Sequence, residues 1–595
     1  MTQQEKQQGR NAVLGATMRD AVARLMKPRS VGIVGVSPEP GQPGGNIIRN
    51  LENVGFTGSL HLVSRNRTEV FGHPCVRTID ELPDGIDVVV LCIPERAVVE
   101  AVEACARKRM GNVMIFAAGF AEVGGAGIVA QQRIHEVARA AAMGIVGPNC
   151  LGVTNSLPGG VPLTFGTADV KKITGARPTL GIIAQSGALA GIFRVSIQNR
   201  GLPVSYSISS GNEAGLTCED YLDYMLDDPA VGTVAMYIEQ LRDPPRFLAL
   251  AARARALGKP LVMLHAGSTA IARESSITHT YSITRNYRAM RALTARAGVV
   301  VVDKIEELLD VAELFLYFPS PPTMGPAIMA DSGAFKGHAL DYAEKIGIDI
   351  PRLSPHIHQA LEPVMPVYAP PSNPLDMTAQ AIKEPEMYDK SLPLLLADPA
   401  IGSLILAPIM GTTGFALVKG QRILDAVKGA TKPIIMTNLA FDGGVAPELV
   451  EECRKRGYPY FPSPERALRA IAYITQFARA LARPPAPPIE WDDPPAMRTP
   501  SPESLQLWVK ASSDPEWGPI LEIGFGGKWR EALPETIILP PDLAPGDIVE
   551  ELRKMPGSAL FVGRDLRAAA NEITRLGAAI RADTPLGQVE SSVAI

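Results

Sequence analysis

One histidine near the middle of the chain lies among hydroxyl side chains. His279 stands in the run SSITHTY at positions 275–281, and the apolar segment before it, residues 260–264, has the pattern of a buried strand. Open α/β sheets place their reactive groups in the loops that follow parallel strands. His279 is therefore a candidate reactive imidazole, although an isolated histidine is more often a surface or capping residue.

A carboxylate and a helix N-terminus occur in the same part of the chain. Glu239 ends an apolar strand, and Ser186 opens a helix directly after the strand predicted at residues 180–184. Loops at the carboxyl edge of one parallel sheet are neighbours, so we expect Glu239 to lie near His279. The amide groups and dipole of a helix that begins at Ser186 can hold a phosphoryl group, and the serine can also be a simple N-cap.

A glycine turn follows the first strand of the chain. Residues 30–37 form a short β-branched strand that runs into this turn, and an amphipathic helix follows at 46–53. Such a turn brings backbone N–H groups close to a phosphate, but many Rossmann-like turns carry glycines only for packing. An NAD-dependent oxidoreductase would need an acidic residue after the second strand, where Arg65 and Arg67 stand instead. The arginines favour a different phosphate-bearing ligand.

The composition excludes several classes of protein. Hydrophobic residues make up 46% and charged residues 20% of the 595 residues, and a net charge of −4 gives no electrostatic case for nucleic acid. The six cysteines are scattered without a CxxC pair, which argues against a zinc site or a disulfide framework. The polar N-terminus lacks a signal-peptide core, and no apolar stretch reaches the roughly 18 residues of a membrane span. We expect a cytoplasmic protein with no metal site.

Strands that alternate with helices predict an α/β protein with several domains. The pattern at residues 181–187 recurs at 327–333, which indicates tandem copies of one flavodoxin-like plan. The expected parts are a lead-in at 1–27, a Rossmann-like domain at 28–155, two flavodoxin-like domains at 156–318 and 319–482, a proline-rich linker at 483–500 and a small α+β domain at 501–595.

Short motifs follow the predicted strands of the first three domains. They are VGVS at 34–37, AGFAE at 118–122, GPNCLG at 147–152, QSGAL at 185–189, SGNEA at 210–214, SNPLD at 372–376 and SPE at 463–465. In this order they resemble the NDP-forming acyl-CoA synthetases, the superfamily of ADP-forming acetate–CoA ligase and of the succinyl-CoA synthetase α subunit. The resemblance covers about residues 28–480. It places His279 on the family's phosphorylated histidine and Glu239 on the glutamate that orients it.

The resemblance implies an ADP-forming acid–thiol ligase with coenzyme A as a cofactor. ATP phosphorylates a bound carboxylic acid, CoA converts the acyl phosphate into a thioester, and His279 carries the phosphoryl group between distant sites. Only a neutral imidazole can attack phosphorus, and Glu239 can fix the tautomer that this requires. The residues implied for phosphate are Gln185, Ser186, Gly187, Ala188, Ser332 and Gly333, and those implied for CoA are Gly35, Val36, Ser37, Ser64, Arg65, Ile93, Pro94, Ala118, Gly119, Phe120 and Asn149.

Two of the chain's departures from the family pattern bear most on its function. Tyr281 and Arg285 replace glycines of the family's histidine loop, where a left-handed conformation would be strained. Residues 513–527 resemble only the later half of the family's ATP-grasp domain, and the half with the nucleotide-clamping lysine is absent. The resemblance therefore implies that ATP and Mg²⁺ are bound mainly by a separate β-type ATP-grasp subunit, in an oligomer.

Two functions remain open at this point. The first is the CoA-binding, phosphohistidine-carrying subunit of an acid–CoA ligase, which the pairing of Glu239 with His279 and the helix at Ser186 favours. The alternative is a non-catalytic CoA- or acyl-CoA-binding regulatory or scaffold protein, which the altered loop at Tyr281 and Arg285 favours. No stretch of the sequence identifies the carboxylic acid.

Overall fold

The computed structural model describes residues 18–170, 172–173, 175, 178–274, 286–440, 443–482, 505–581 and 588–595. Contacts within the chain divide it into two compact units. The first contains residues 1–240, 253–282 and 300–482, and the second contains 241–252, 283–299 and 483–595. No helix among the described residues has the length and apolar character that crossing a membrane requires.

The first sheet has the Rossmann strand order, in the sequence β3-β4-β2-β1-β5-β6-β7. Its central strands are apolar and buried on both faces, as expected of parallel strands covered by helices. The strands are β1 (Ser30–Val34), β2 (Ser59–Val63), β3 (Glu69–Val70), β4 (His73–Val76), β5 (Val88–Leu91), β6 (Asn112–Ile115) and β7 (Gly144–Val146), and the helices are α1 (18–26), α2 (Pro43–Asn53), α3 (Val98–Arg107) and α4 (Gly125–Ala140).

The second sheet follows the flavodoxin strand order and gains two antiparallel strands at one edge. Its order is β14-β13-β12-β10-β11-β8-β9. The strands are β8 (Gly152–Asn155), β9 (Pro162–Thr164), β10 (Thr179–Ala184), β11 (Val204–Ser209), β12 (Val231–Ile238), β13 (Leu261–His265) and β14 (Val299–Val302), and the helices are α5 (Gly187–Asn199), α6 (Cys218–Asp227), α7 (Pro244–Ala256), α8 (270–274), α9 (Tyr287–Arg296) and α10 (Ile305–Tyr317).

The first strand of the second sheet, β8, lies within the range of 28–155 that the sequence predicts for the first domain. β8 pairs antiparallel with β11, with Gly152 opposite Ser209 and Asn155 opposite Tyr206. These strands cover an edge of β11 that would otherwise present unpaired N–H and C=O groups. The change of sheet therefore lies between β7 and β8.

The third sheet repeats the flavodoxin order, as β16-β15-β17-β18-β19. This confirms the tandem copies inferred from the recurring motif. The strands are β15 (Pro326–Ala330), β16 (Leu375–Asp376), β17 (Ser403–Ala407), β18 (Ile434–Thr437) and β19 (Tyr460–Phe461), and the helices are α11 (Gly333–Lys345), α12 (Pro355–Leu361), α13 (Gln380–Lys383), α14 (Glu386–Ala397), α15 (Gly414–Ala426), α16 (Pro447–Lys455) and α17 (Pro464–Ala482).

The two flavodoxin-like domains share one hydrophobic core. Phe315 of α10 lies edge-to-face with Phe477 of α17, with ring centroids 5.1 Å apart. Beside this core, Arg200 donates to Asp310 at 2.8 Å and to Glu313 at 2.6 Å. Arg466 of α17 donates two hydrogen bonds to the same Asp310 carboxylate, at 2.7 and 2.8 Å. Apolar packing and a buried ion network thus join the two domains.

The second unit is built on a four-stranded antiparallel sheet in the order β22-β21-β20-β23. Buried and half-exposed residues alternate along β20, the pattern of a strand with one covered face. Helix α9 contacts β22 within this unit. The strands are β20 (Gln506–Asp514), β21 (Gly518–Phe525), β22 (Thr536–Leu539) and β23 (Gln588–Ala594), and the helices are α18 (Pro545–Arg553) and α19 (Arg567–Arg581).

Candidate functional site

The loops after β1 and β5 meet at the switch point of the first sheet, where open α/β sheets bind their ligands. Gly35 has φ +88°, and a Cβ atom there would lie 2.3 Å from the carbonyl oxygen of Cys92 and 2.9 Å from Cγ2 of Ile93. Only glycine fits this backbone and this spacing. Two of the predicted CoA residues, Gly35 and Ile93, are therefore direct neighbours.

The first turn of α2 packs on the same loop. A Cβ atom on Gly44 would lie 3.1 Å from Cα of Val36, and one on Gly45 would lie 2.7 Å from the carbonyl oxygen of Ser37. The N-cap residue, Gln42, makes no side-chain hydrogen bond to the helix amides. First-turn N–H groups without intrahelical partners beside a close backbone approach suit a pyrophosphate, so this site fits the CoA that the sequence implied.

The loops after β6 and β7 extend the rim of this site. Gly119 has φ +108°, and a Cβ atom there would lie 3.0 Å from Cγ of Glu95, which follows the β5 loop. The backbone N–H of Asn149 donates to the carbonyl of Ala117 at 2.9 Å. The residues predicted for CoA after β1, β5, β6 and β7 thus come from adjoining loops at the carboxyl edge of one sheet.

The loop after β2 carries the basic residues at this edge. Ser64 is buried and donates its backbone N–H to Val76, whereas the Arg65 side chain is exposed. The Arg49 guanidinium lies 5.0 Å from the centre of the Phe71 ring. The cationic side chains of Arg49 and Arg65 are consistent with a ligand that carries phosphates.

The predicted CoA residues differ in what they can offer a ligand. The side chains of Val36, Ser64 and Phe120 are buried, and Phe120 has no exposed surface at all. They support the loops from the protein side. Pro94 and Ala118 are exposed at the rim and can contact a ligand directly.

In the second domain, Gln185 holds the turn that carries Glu239. The Gln185 side chain accepts the N–H groups of Glu239 at 2.6 Å and Gln240 at 2.9 Å, and it donates to the carbonyl of Gln240 at 2.7 Å. The phosphate-binding role of Gln185 stays a prediction, and in this structure its side-chain amide bonds to protein backbone. Through Gln185, Glu239 is fixed beside the start of α5.

Ser186, Gly187 and Ala188 form the start of α5, as the sequence suggested. Ser186 is the N-cap and makes no side-chain cap hydrogen bond, and Ala188 is exposed. A Cβ atom on Gly187 would lie 2.7 Å from Cγ of Leu151. The helix therefore presents a backbone-lined N-terminus with an unengaged cap hydroxyl, which is suited to an anion.

The third domain has an equivalent contact between the residue before its helix and the loop after the next strand, but the side chain that accepts is a carboxylate. Asp331 precedes the N-cap Ser332 as Gln185 precedes Ser186, and its carboxylate accepts the N–H of Ile409 at 2.8 Å and forms an ion pair with Lys419. Ile409 occupies the position that corresponds to Glu239. In the second sheet Tyr237 pairs with Ala184 and Glu239 follows two residues later, and in the third sheet Ala407 pairs with Ala330 and Ile409 follows two residues later. Only the second domain places a carboxylate there.

The start of α11 has an acidic neighbour. A Cβ atom on Gly333 would lie 2.8 Å from Oδ2 of Asp376, at the end of the adjacent strand β16. A carboxylate at this position interacts favourably with the helix dipole and competes with an anionic ligand. At the other predicted phosphate-binding helix start, the three atoms nearest a Cβ on Gly187 all belong to Leu151, an apolar side chain.

A second histidine lies at the same sheet edge as Glu239. His265 ends β13 directly beside Ile238, and its Nδ1 contacts the carbonyl of Ala266 at 2.6 Å. Burial lowers the pKa of His265 to about 4, so this imidazole is neutral at pH 7. His279, with Tyr281 and Arg285, lies outside the described residues.

The glutamate of the SGNEA motif has a structural role that the motif alone does not indicate. Glu213, Cys218 and Glu219 are buried and bring potential metal-ligand atoms within 4.8 Å of one another. Glu213 accepts the Ser210 hydroxyl at 2.7 Å and the Cys218 N–H at 3.1 Å. These bonds close the turn before α6, and they account for Glu213 as a turn residue.

Two family models match the chain. A CoA-binding domain matches residues 29–156, and a succinyl-CoA ligase-like flavodoxin domain matches residues 177–315. These ranges contain the two parts of the site described above.

Several characterised proteins are similar to the chain. The ADP-forming acetate–CoA ligase II α subunit of Pyrococcus furiosus is 30% identical over 461 residues, which cover 76% of this chain and 97% of that protein. A trans-feruloyl-CoA synthase from an unknown prokaryotic organism is 39% identical over 77% of this chain, and ADP-forming acetate–CoA ligase I of Archaeoglobus fulgidus is 28% identical over the same share. The chain spans only 65% and 64% of the lengths of these last two relatives.

A solved structure supports the same grouping. The dinucleotide-forming acetyl-coenzyme A synthetase 1 of Ca. Korarchaeum cryptofilum, in complex with phosphate and ADP, aligns with a TM-score of 0.67 and 25% identity. The alignment covers 78% of this chain and 97% of that one.

Proposed function

The chain belongs to the NDP-forming acyl-CoA synthetase superfamily, and on that premise we propose that it is the CoA-binding, phosphohistidine-carrying subunit of an ADP-forming acid–CoA ligase. The overall reaction joins a carboxylic acid, ATP and CoA to give an acyl-CoA, ADP and phosphate. The observation that carries this proposal is that Gln185 places Glu239 beside the N-terminus of α5. The same chain has, in its first domain, a glycine-lined switch point that fits CoA.

The first domain binds CoA in this proposal. The first-turn amides of α2 and the close backbone approach at Gly35 hold the pyrophosphate, and the arginines after β2 provide positive charge. The loops around Ile93 and Gly119 complete the rim. CoA supplies the thiol that attacks the acyl phosphate.

The second domain handles the phosphoryl group. Amide groups at the start of α5, near Ser186, stabilise the phosphoryl oxygens. The Glu239 carboxylate orients the imidazole of His279 and stabilises the positive charge that forms on it when it takes a phosphoryl group. Ile409 stands at the position of Glu239 in the third domain, so the second domain is the one equipped for this step.

A separate ATP-grasp subunit supplies most of the nucleotide site. The resemblance of residues 513–527 to half of an ATP-grasp domain supports this, and so does the similarity to a relative that is itself an α subunit. In this proposal the separate subunit binds most of the ATP and its Mg²⁺, and ATP is a substrate of the assembled enzyme.

The acid is an aromatic, phenylpropanoid-type carboxylate in this proposal. The support is the 39% identity to a trans-feruloyl-CoA synthase, against 28–30% for the acetate–CoA ligases from Archaeoglobus and Pyrococcus furiosus named above. Acyl-CoA formation with ferulate and with acetate distinguishes the two substrate classes. A strong preference for acetate would contradict this part of the proposal only.

A phosphorylation assay tests the central step. The purified chain is incubated with radiolabelled ATP and Mg²⁺, with and without a candidate ATP-grasp subunit. We expect acid-labile, base-stable label that requires the subunit and is lost in His279→Ala. In Glu239→Gln the rate should fall about 100-fold, the range typical of a lost acid–base partner. His358→Ala, which removes an exposed histidine of α12, is the matched control and should label normally.

One outcome would favour the alternative function. If no label forms under any condition while CoA still binds the chain, the ligase proposal fails. The chain would then be a CoA-binding regulatory or scaffold protein, in line with the altered loop residues Tyr281 and Arg285.

A further inference from the structure

One carboxylate connects the first domain to the second domain. It lies beside the loop after β6, which carries Ala118, Gly119 and Phe120, three of the residues predicted for CoA. Glu122 lies three residues after Gly119, and its Oε1 atom accepts the Gly119 N–H at 2.6 Å. Its other oxygen, Oε2, accepts the side-chain N–H of Asn212 at 2.5 Å. Gly119 belongs to the loop after β6, and Asn212 to the loop after β11. The two oxygens of one side chain therefore hold loops from two different sheets.

A second side chain reinforces this bridge. Gln131 of α4 accepts the backbone N–H of Ala121 at 3.2 Å and the Asn212 side chain at 3.0 Å. On the other side, Asn149 donates to Oδ1 of Asn212 at 3.3 Å. Asn212 is only 4% exposed, so these contacts are largely shielded from water. Hydrogen bonds to a charged acceptor in such a place are stronger than neutral ones.

The bridge acts on a conformation that needs support. Gly119 has φ +108°, and the loop contacts Glu95 of the neighbouring β5 loop. Glu122 therefore fixes the orientation of the peptide group that opens the CoA-type loop, and Asn212 fixes Glu122.

We propose that Glu122 is a positioning residue, whose hydrogen bonds to Gly119 and Asn212 hold the CoA-binding loop in its binding conformation and couple it to the second domain. The inference deepens the proposed function and rests on its assignment of CoA to this rim. Glu122 acts through the loop and does not itself need to touch the ligand. Without the bridge, the loop samples other conformations and CoA binds more weakly.

An amide swap tests the bridge. Glu122→Gln keeps the shape but replaces one acceptor by an NH₂ donor, which then faces either the Gly119 or the Asn212 donor. The loss of one charge-assisted hydrogen bond and the donor–donor conflict should raise the Kd for CoA about 10-fold. Asn212→Asp, which places two carboxylates together, should weaken binding similarly. The double variant pairs the introduced amide with the introduced carboxylate and should return to within about 3-fold of the parent.

The measurement is calorimetric titration of the full chain with CoA, with thermal unfolding recorded for every variant. Glu136→Gln, an exposed carboxylate of α4, is the matched control and should bind CoA as the parent does. A purely structural role would lower the unfolding temperature and leave the Kd unchanged. Parental affinity in Glu122→Gln, or no recovery in the double variant, would overturn the inference. Absence of CoA binding in the parent chain would instead overturn the CoA assignment in the proposed function.

Discussion

At the residue scale, the buried and neutral His265 makes the folded protein less stable in acid. Burial lowers the pKa of His265 to about 4 from the usual 6.5. As the pH falls from 6.5 towards 4, the unfolded chain takes up a proton that the folded chain refuses, so stability declines in this window and is fully present above it. We expect a loss of about 2 kcal/mol from this group between pH 7.5 and pH 5.

Urea unfolding at the two pH values measures this loss. His265→Gln removes the titrating group, so its stability should fall less between pH 7.5 and pH 5 than that of the parent. His358→Gln changes an exposed histidine and should follow the parent curve. An equal decline in His265→Gln and the parent would show that His265 does not control acid sensitivity.

At the element scale, polar and charged residues of the C-terminal sheet and of α18 hold α9. Arg288 donates to Glu522 at 3.1 Å and to the Thr536 hydroxyl at 2.6 Å, and Arg296 donates to Asp547 at 3.0 Å. Asn286, the N-cap of α9, donates to Asp514 at 3.0 Å. The C-terminal sheet therefore anchors the helix that follows the predicted histidine loop in the sequence.

A double-mutant cycle on Arg288 and Glu522 tests this anchor. The Arg288 side chain is half-exposed, so we expect a coupling energy of only about 0.5 kcal/mol. Hydrogen exchange should nevertheless increase in α9 in Glu522→Ala, because the helix loses a contact in its first turn. Glu551→Ala, which removes an ion pair within α18, should leave exchange in α9 unchanged. Unchanged exchange in both variants would contradict the anchor.

Local sequence patterns were sufficient to predict many of the strands and turns. They were not sufficient to predict which distant segments pair with one another. The apolar run at 260–264 and the glycine turn after the first strand predicted a strand and a tight strand-to-helix turn, because periodicity and turn chemistry are local signals. The pairing of β8 with β11 and the grouping of α9 with the C-terminal sheet depend on partners far along the chain. The spacing from Gly119 to Glu122 resembles a capping pattern, but its partner Asn212 is 90 residues away from Glu122.

At the scale of the whole molecule, one buried carboxylate joins the two flavodoxin-like domains. Asp310 accepts hydrogen bonds from Arg200 and Arg466, and its side chain is 3% exposed. Asp310→Ala would leave Arg466 and part of Arg200 without a counter-charge in a buried site. We expect a loss of about 3 kcal/mol in unfolding free energy, the range for a broken buried pair.

Urea unfolding followed by circular dichroism measures this effect. Asp389→Ala removes the exposed ion pair with Arg422 and should cost less than about 1 kcal/mol. Similar midpoints in the two variants would show that the buried network does not stabilise the domain pair. A transition that separates into two steps in Asp310→Ala would show that the carboxylate also makes the two domains unfold together.

The early entry of the chain into the second sheet limits how this protein can be recombined. Asn46 and Asn50 of α2 donate to the backbone of Phe165 and Gly166 at 3.1 and 2.9 Å, directly after β9. The segment from β8 to residue 168 therefore makes hydrogen bonds both to α2 of the first domain and to β11 of the second sheet. A chimera that exchanges the CoA-binding module with that of a relative should therefore be joined beyond residue 168. A junction at 155 would separate β8 and β9 into different parents and leave the α2 asparagines facing foreign backbone.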